Sequence, residues 1–187
     1  AQTPDIRFEH ISTEQGLSQD IVRSIVQDRR GFMWFGTEDG LNRYDGYSIT
    51  VYKHNPLDSN SVSNSSINVL YEDSRGTLWI GTGAGLDRYD SDRDAFLHLL
   101  HDPLDTTSMS NNTITAICED AGGSLWIGTG NGLNRYDTGS RNLRQYHHNP
   151  RDFNSLNADD INAVCIDNSG TLWVGTSNGL NAYDEKT

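Results

Sequence analysis

One motif occurs four times in this chain at a nearly constant spacing. Each copy has the form Gly-x-x-Trp-x-Gly-Thr-x-x-Gly-Leu-x-x-Tyr-Asp, and the four tryptophans are separated by 45, 47 and 47 residues. The copies span residues 31–45, 76–90, 123–137 and 170–184. A fixed period of about 40 to 50 residues is typical of arrays such as solenoids and propellers. The chain is therefore expected to repeat one small structural unit.

Each repeat contains four short segments with the pattern of a β-strand, bounded by turn residues. In the second copy these are Ile67–Glu72, Thr77–Thr82, Leu86–Tyr89 and Ala95–Leu100. Within the second segment, Leu78 and Ile80 share one face and Trp79 lies on the other, so both faces are apolar. A small sheet with two apolar faces must pack between two others. We therefore predict an all-β fold, a β-propeller built of four-stranded antiparallel blades.

The four tryptophans are interpreted as core residues and not as a ligand-stacking platform. A glycine follows each of them by two positions, which is expected to leave room for a large ring from the same or the facing sheet. These glycines are Gly36, Gly81, Gly128 and Gly175.

A second series of residues sets the phase of the repeat. His54, His101 and His148 each precede the next tryptophan by 25 residues, and His10 precedes Trp34 by 24. Residues 6–10 are therefore predicted to be an outer strand. The chain is predicted to contain this one strand, then three blades of four strands, and then three strands of a last blade, which is a strand phase of 1 + 4 + 4 + 4 + 3. The propeller blades occupy residues 1–187, with repeats at about 20–54, 66–101, 113–148 and 160–184. We expect four blades of a larger propeller, or a ring completed by strand exchange.

Composition excludes several classes of protein. The chain has 26 acidic and 14 basic residues and a net charge of −12, which disfavours nucleic acid as a partner. No apolar run is long enough to insert into a membrane. No cofactor or metal site is indicated. Cys118 and Cys165 are at neighbouring inner strands, too far apart for a disulfide, and are predicted to be buried free thiols.

Recurrent polar residues have structural explanations. Aspartates at the first position of a tight turn, with glycine three residues later, accept backbone hydrogen bonds. These are Asp28, Asp73, Asp120 and Asp167. The histidines at residues 54, 101 and 148 precede Asn-Pro or Asp-Pro pairs and are expected to fix the loops between blades by hydrogen bonds.

The repeats resemble a known family, the two-component regulator propeller repeats. The resemblance rests on Ile67–Asp90, on Ile114–Asp137 and on the opening segment from Phe8 to Ser18. It covers nearly the whole chain. The family occurs in extracytoplasmic sensor regions of bacterial hybrid histidine kinases and of membrane-anchored diguanylate cyclases. The resemblance thus implies the periplasmic part of a membrane-anchored receptor, and it implies that the four blades belong to a larger, seven-bladed propeller.

Candidate ligand-binding residues are sought where equivalent positions differ between copies, because shared residues are explained by the blade itself. Turns and loops at one face of the propeller, together with the third strands, supply the candidates. They are Glu38, Asp39, Arg43, Arg88, Arg135 and Arg151. No catalytic residue is assigned.

The preferred function is a non-enzymatic, ligand-recognising sensor segment that responds to a small molecule or an oligosaccharide. One alternative is a propeller lyase or hydrolase that resembles the streptogramin lyases. The inner strands offer it Asn68, Thr115 and Asn162 with Glu72 and Glu119, but no histidine. Another alternative is a scaffold of four blades that forms an eight-bladed homodimer through exchange of edge strands.

Overall fold

The computed structural model describes residues 7–183, which form four consecutive antiparallel sheets. Strands follow one another in space in chain order within every sheet. Blade 1 contains β1 (Val22–Gln27), β2 (Met33–Thr37), β3 (Gly40–Tyr44) and β4 (Ile49–Tyr52). Blade 2 contains β5 (Ile67–Glu72), β6 (Leu78–Thr82), β7 (Leu86–Asp90) and β8 (Ala95–Leu99). Blade 3 contains β9 (Ile114–Glu119), β10 (Ser124–Thr129), β11 (Gly132–Asp137) and β12 (Leu143–Tyr146). Blade 4 contains β13 (Ile161–Ile166), β14 (Leu172–Thr176) and β15 (Gly179–Tyr183).

The predicted all-β architecture of four-stranded propeller blades is confirmed. Helix in the described residues is limited to one 3-10 turn, Thr13–Gln15, and no helix there is long and apolar enough to cross a membrane. The predicted outer strand at 6–10 begins outside the described residues, and residues 7–10 form no strand. In a closed propeller its partner is the third strand of the last blade, and no described strand pairs with it here.

The core lies between blades, with one apolar cluster at each of the three interfaces. On one side of the first interface are Trp34 and Leu41 of blade 1, and on the other are Ile67, Leu78 and Ile80 of blade 2. The second and third interfaces repeat this arrangement around Trp79 and Trp126. Trp34, Trp79 and Trp126 therefore face the following blade, which confirms their assignment to the core. Trp173 was assigned to the core as well, but it is exposed, because no described blade covers it.

The glycine two residues after Trp34, Trp79 and Trp126 accommodates an isoleucine, and the expectation of an aromatic ring was wrong. A Cβ atom added to Gly36 would lie 2.6 Å from Ile67 Cγ2, and one added to Gly81 would lie 2.7 Å from Ile114 Cγ2. At Gly128 the corresponding distance to Ile161 Cγ2 is 2.7 Å. The inner strand of each blade therefore inserts a β-branched side chain into a gap in the preceding blade. The rings lie further out, opposite the third and fourth strands.

The recurrent aspartates confirm their predicted turn role and also bind the tryptophans. Asp73 Oδ1 accepts hydrogen bonds from the backbone N–H groups of Arg75 and Thr77, and Oδ2 accepts one from Trp79 Nε1 at 2.9 Å. The other three repeats show the same pattern, with Trp Nε1 to Asp Oδ2 distances of 2.9, 3.3 and 2.9 Å. This contact fixes the indole ring relative to the turn that begins its own strand.

Two apolar faces are not covered by any described residue. Trp173 is 38% exposed and Leu180 63%, on the side of blade 4 where a following blade would pack. On blade 1, Val22 and Ile25 are 37% and 60% exposed on the opposite side. An added Cβ at Gly175 would meet nothing closer than 3.7 Å, so the gap that holds isoleucine elsewhere is open. The eight-bladed homodimer stays a prediction.

The two cysteines differ in environment. Both are free thiols. Cys165 on β13 is exposed because it lies on the uncovered side of blade 4, and its predicted burial was therefore wrong. Cys118 on β9 is partly buried beneath blade 4. Burial raises the pKa of the Cys118 thiol to about 12.

We predict that Gly81→Ala lowers the free energy of unfolding by about 1–3 kcal/mol, because the new methyl group overlaps Ile114 and Val69. Gly175→Ala is the matched control and should change it by less than about 0.5 kcal/mol. The measurement is denaturant unfolding followed by tryptophan fluorescence. Equal losses in the two variants would contradict the insertion of isoleucine into the glycine gap.

We also predict that a disulfide-exchange reagent at about pH 8 labels Cys165 quickly and Cys118 only on unfolding. The reason is that the thiolate is the reactive form, and burial disfavours it at Cys118. Cys165→Ser should remove the fast phase alone. A fast phase that persists in this variant would show that Cys118 is accessible.

Candidate functional site

The antiparallel order of each blade separates its connections into two ends. At one end lie the turns between second and third strands and the long loops that cross between blades. We call this the loop end. At the other end lie the aspartate turns and the connections between third and fourth strands, and we call it the Asp-turn end. Every first strand therefore starts at the loop end and finishes at the Asp-turn end.

Each first strand carries a β-bulge at its second residue, near the loop end. The register shifts between Val22 and Ser24 in blade 1, and at the equivalent step in the other three blades. Bulges commonly re-aim a side chain next to a binding site. We call the four residues at these steps the bulge row: Arg23, Asn68, Thr115 and Asn162. Three residue types occupy these four positions, whereas the flanking isoleucine recurs in blades 2 to 4.

Polar contacts join the bulge row from blade to blade. The Arg23 guanidinium donates to Glu38 Oε1 at 2.5 Å and to Asn68 Oδ1 at 3.1 Å. Asn68 Nδ2 in turn donates to the carbonyl oxygen of Ile114 at 2.9 Å. The Arg23 and Glu38 side chains are 42% and 39% exposed, so both are accessible to a ligand. With Asn68 they place a guanidinium, a carboxylate and an amide next to one another at the loop end.

Further along the row, Thr115 Oγ1 is buried and has no hydrogen-bond partner in the described part of the chain. Asn162 is exposed. The row therefore combines the charged pair of Arg23 and Glu38 at blade 1 with neutral side chains at blades 2 to 4. Such a surface can hydrogen-bond hydroxyl, amide and carboxylate groups of a ligand.

Three of the predicted ligand-binding residues lie at the loop end. Glu38 joins the bulge row through Arg23, whereas Asp39 forms an ion pair with Lys53 at 2.6 Å. Arg151 is exposed on the loop between blades 3 and 4. Its backbone N–H donates to Asn149 Oδ1 at 3.1 Å. The structure thus brings only Glu38 into contact with the inner strands.

The three third-strand arginines lie towards the Asp-turn end, so the predicted set is not one site. Arg135 donates to Asp120 Oδ2 at 2.9 Å, and Arg88 lies opposite Trp79 in the sheet. The guanidinium of Arg43 lies over the rings of Phe32 and Trp34. The third strand runs from the loop end to the Asp-turn end, so the arginine in its second half lies towards the Asp-turn end of the blade.

Arg43 belongs to a packed cluster with two tyrosines and an aspartate. Tyr52 and Tyr89 both donate to Asp94 Oδ1, at 2.8 and 2.5 Å, and Arg43 Nη1 lies 2.9 Å from the Tyr89 hydroxyl. Burial raises the pKa of both tyrosines. Burial acts to raise the pKa of Asp94 too, but the two hydroxyl donors and Arg43 lower it overall. The cluster stabilises the interface between blades 1 and 2.

The glutamates considered for an enzymatic site link adjacent blades at the Asp-turn end. Glu72 Oε1 accepts from the backbone N–H of Arg29 at 2.8 Å. Glu119 accepts from the backbone N–H and the hydroxyl of Ser74, at 2.7 and 2.6 Å. They lie at the far end of the first strands from the bulge row. The structure does not bring these carboxylates together with Asn68, Thr115 and Asn162.

The loop histidines have the predicted structural role. His54, His101 and His148 each place Nδ1 within 2.6 to 2.9 Å of a carbonyl oxygen eight residues later. Their backbone N–H groups donate to side chains eleven residues later. No group of three potential metal-ligating residues occurs between residues 7 and 183.

Comparison of the four copies could have identified Arg23, which sequence reasoning missed. It occupies the position that holds Asn68, Thr115 and Asn162 in the later blades, directly after the β-branched residue that begins each first strand. Arg23 was not selected from the sequence, because no residue pattern indicates the bulge at this position.

Comparison with known proteins places the repeats in a family. The model of the family described as "Two component regulator propeller" matches residues 16–39, 61–84, 108–131 and 155–178, about half of the chain. A 63-residue stretch is 44% identical to Histidine kinase P4 of Formosa agariphila and covers 34% of this chain and 5% of that protein.

Solved structures give a longer alignment. The extracellular domain of the putative hybrid two component system BT3049 from B. thetaiotaomicron aligns with a TM-score of 0.81 and 27% identity, over 96% of this chain and 26% of that one. The extracellular domain of the putative one component system BT4673 from the same organism aligns with a TM-score of 0.75 and 28% identity, over 89% of this chain and 24% of that one. The chain thus spans about a quarter of these domains.

A more distant likeness concerns the fold alone. A catalytically inactive virginiamycin B lyase from Staphylococcus aureus aligns with a TM-score of 0.60 at 14% identity, over 89% of this chain and 56% of the lyase. The four matched repeats, by contrast, carry the motif residue by residue. The chain belongs to the two-component regulator propeller family.

Proposed function

We propose that this chain is part of an extracytoplasmic sensor propeller and that the bulge row binds a small polar ligand, with an oligosaccharide as the first candidate. Membership of the family and the likeness to extracellular domains of two-component systems support the sensor role. The contact of Arg23 with both Glu38 and Asn68 carries the proposal for the site.

Position favours the bulge row over other surfaces. It lies at the loop end, on inner strands, where arginine, asparagine and threonine replace one another in a framework that is otherwise repeated. Residues that merely build the blade recur, as the aspartate, tryptophan and glycine of the motif do. Variation at one structurally equivalent position across neighbouring blades therefore indicates a role other than building the blade.

The chemistry of the row favours a polyhydroxylated ligand. Guanidinium and amide N–H groups donate to hydroxyl oxygens, and the Glu38 carboxylate accepts from hydroxyl groups. Ion-paired side chains that already contact one another are also held in place before the ligand arrives, which lowers the entropy cost of binding. In the full receptor, binding would shift the packing of adjacent blades, because Arg23 and Asn68 belong to different blades.

Non-enzymatic action is part of the proposal. The glutamates of the inner strands are engaged by backbone N–H groups at the Asp-turn end, away from the bulge row. A general acid or base must lie within hydrogen-bond reach of the reacting group. Likeness to a lyase at 14% identity concerns the fold and adds no catalytic residue.

The test is binding of the 187-residue chain to an immobilised panel of oligosaccharides, followed by calorimetry with any sugar that binds. We predict that Arg23→Ala weakens binding by about 10- to 100-fold, because it removes charge-assisted hydrogen bonds at the site. Lys53→Ala is the control, since it removes another ion-paired cation at the loop end and should leave affinity unchanged.

Two results would overturn the proposal. One is retention of full affinity by Arg23→Ala, which would place the ligand elsewhere. The other is turnover of the bound sugar by the chain, seen as new products, which would make it an enzyme. Urea unfolding of both variants shows whether they remain folded.

A further inference from the structure

Blade 2 differs from the other blades at a buried position of its third strand. Asn42, Asn134 and Asn181 are replaced there by Asp87, which is fully buried. The amide oxygens of the three asparagines accept a backbone N–H from the loop that enters their blade, at 2.8, 2.9 and 3.0 Å. Asp87 Oδ2 accepts the equivalent bond from Ser63 N at 2.7 Å. Blade 2 thus makes the common contact with a carboxylate.

His98 on β8 is paired with Asp87 in the sheet and contacts it directly. Its Nδ1 lies 2.6 Å from Asp87 Oδ1, and its Nε2 lies 3.0 Å from the carbonyl oxygen of Ser59. Both neighbours are hydrogen-bond acceptors. Only an imidazolium, with a proton on each nitrogen, can donate to both. A neutral ring would leave one nitrogen lone pair facing an acceptor oxygen.

The surroundings of His98 favour the charged ring. Its hydrogen bond to Asp87 raises the pKa of His98 above the ordinary value of 6.5, although burial acts in the opposite direction. Asp87 on β7 is the charged group that acts on the ring, and the crossing loop contributes the Ser59 carbonyl. Ser59 lies in the loop of residues 53–66 that joins blades 1 and 2.

Blade 3 has a neutral pair at the equivalent strand positions, and its contact with the crossing loop lies two residues further along, since Ser59 is equivalent to Thr106. Asn134 is paired in the sheet with Gln145, and Gln145 Nε2 donates to the carbonyl oxygen of Ser108 at 2.8 Å. An amide can make this contact at any pH, whereas an imidazole needs its second proton. In blade 1 the residue paired with Asn42 is Val51, which has no donor to offer. The charged pair is thus confined to blade 2 among the three described blades with four strands.

We propose that Asp87 and His98 form a protonation-dependent latch, which holds the loop of residues 53–66 on blade 2 while His98 is charged and releases the Ser59 contact when His98 loses a proton. The proton leaves from Nε2 to solvent, because the buried Asp87 carboxylate retains the proton on Nδ1. The Nε2 lone pair then faces the Ser59 carbonyl, and the loop must move away. The latch is independent of the proposed ligand site.

The sign of the pH dependence follows from the raised pKa of His98. The group adds stability that is fully present below its unfolded-state pKa, about 6.5, and that is lost as pH rises through the higher folded-state pKa. The latch is therefore closed below about pH 6.5 and opens as pH rises through the folded-state pKa of His98, which lies above that value.

The first experiment is NMR of the uniformly ¹⁵N-labelled chain, in which histidine ring nitrogens and backbone amides are both followed from about pH 5 to 9.5. We expect the His98 ring to titrate above 6.5 and the amide signals of Ser59 and Asn60 to shift with the same midpoint. In Asp87→Asn the His98 midpoint should fall, because the carboxylate partner is gone. Titration of His98 at or below 6.5 in the parent chain, or an unchanged midpoint in Asp87→Asn, would overturn the latch.

The second experiment compares the parent chain with Asp87→Asn/His98→Gln, which gives blade 2 the residues of blade 3. We expect the Tm of the parent to fall between about pH 6 and pH 9 by roughly 2–4 °C more than that of the double variant. Because the blade 3 arrangement is already accommodated in this fold, the double variant should remain folded. An equal pH response in the two proteins would show that the pair does not titrate as a latch.

Discussion

Packing between blades is the constraint on which the rest of this structure depends. A four-stranded sheet of about 30 residues cannot bury two apolar faces by itself, and it becomes stable only when its neighbours cover both. Here the contact is specific, since Ile67, Ile114 and Ile161 are fully buried against glycines of the preceding blade. The isoleucine belongs to the inner strand, where the blades converge. Replacing a single hydrogen atom on the glycine would therefore affect the whole interface.

The repeated contacts explain why most polar residues of the motif have no further role. Asp73 accepts two backbone N–H groups and the Trp79 indole, and Thr82 Oγ1 donates to the carbonyl of Gly85 in the turn that follows. Because these bonds recur in each blade and stabilise it, residues at other positions can vary without loss of the fold. The bulge row and the pair of Asp87 with His98 are such positions. The bulge row lies on the inner strands at the loop end. The pair of Asp87 with His98 lies on the third and fourth strands beneath a crossing loop.

The elements of the fold were predictable from the sequence, but which candidate residues lie together was not. The spacing of the tryptophans and the alternation around Trp79 identified the blades, because strand period and turn residues are local properties. The third-strand arginines were grouped with Glu38, although their strand carries Arg43 to the other end of the blade. Arg23 was missed, since a β-bulge leaves no mark in a single sequence. The burial of Cys165 was also mispredicted, because it depends on a covering blade that no described residue supplies.

The sequence by itself determined the number of repeats, the strands within each one and the turn role of the aspartates, since all of these depend on residues within one period. Only the tertiary structure decided which side chains meet across a blade boundary. Arg23 and Asn68 are 45 residues apart, and Arg29 and Glu72 are 43 apart. Their contact depends on how one blade is rotated and packed against the next. That rotation is set by the fit of isoleucine against glycine in three dimensions, which no local pattern encodes.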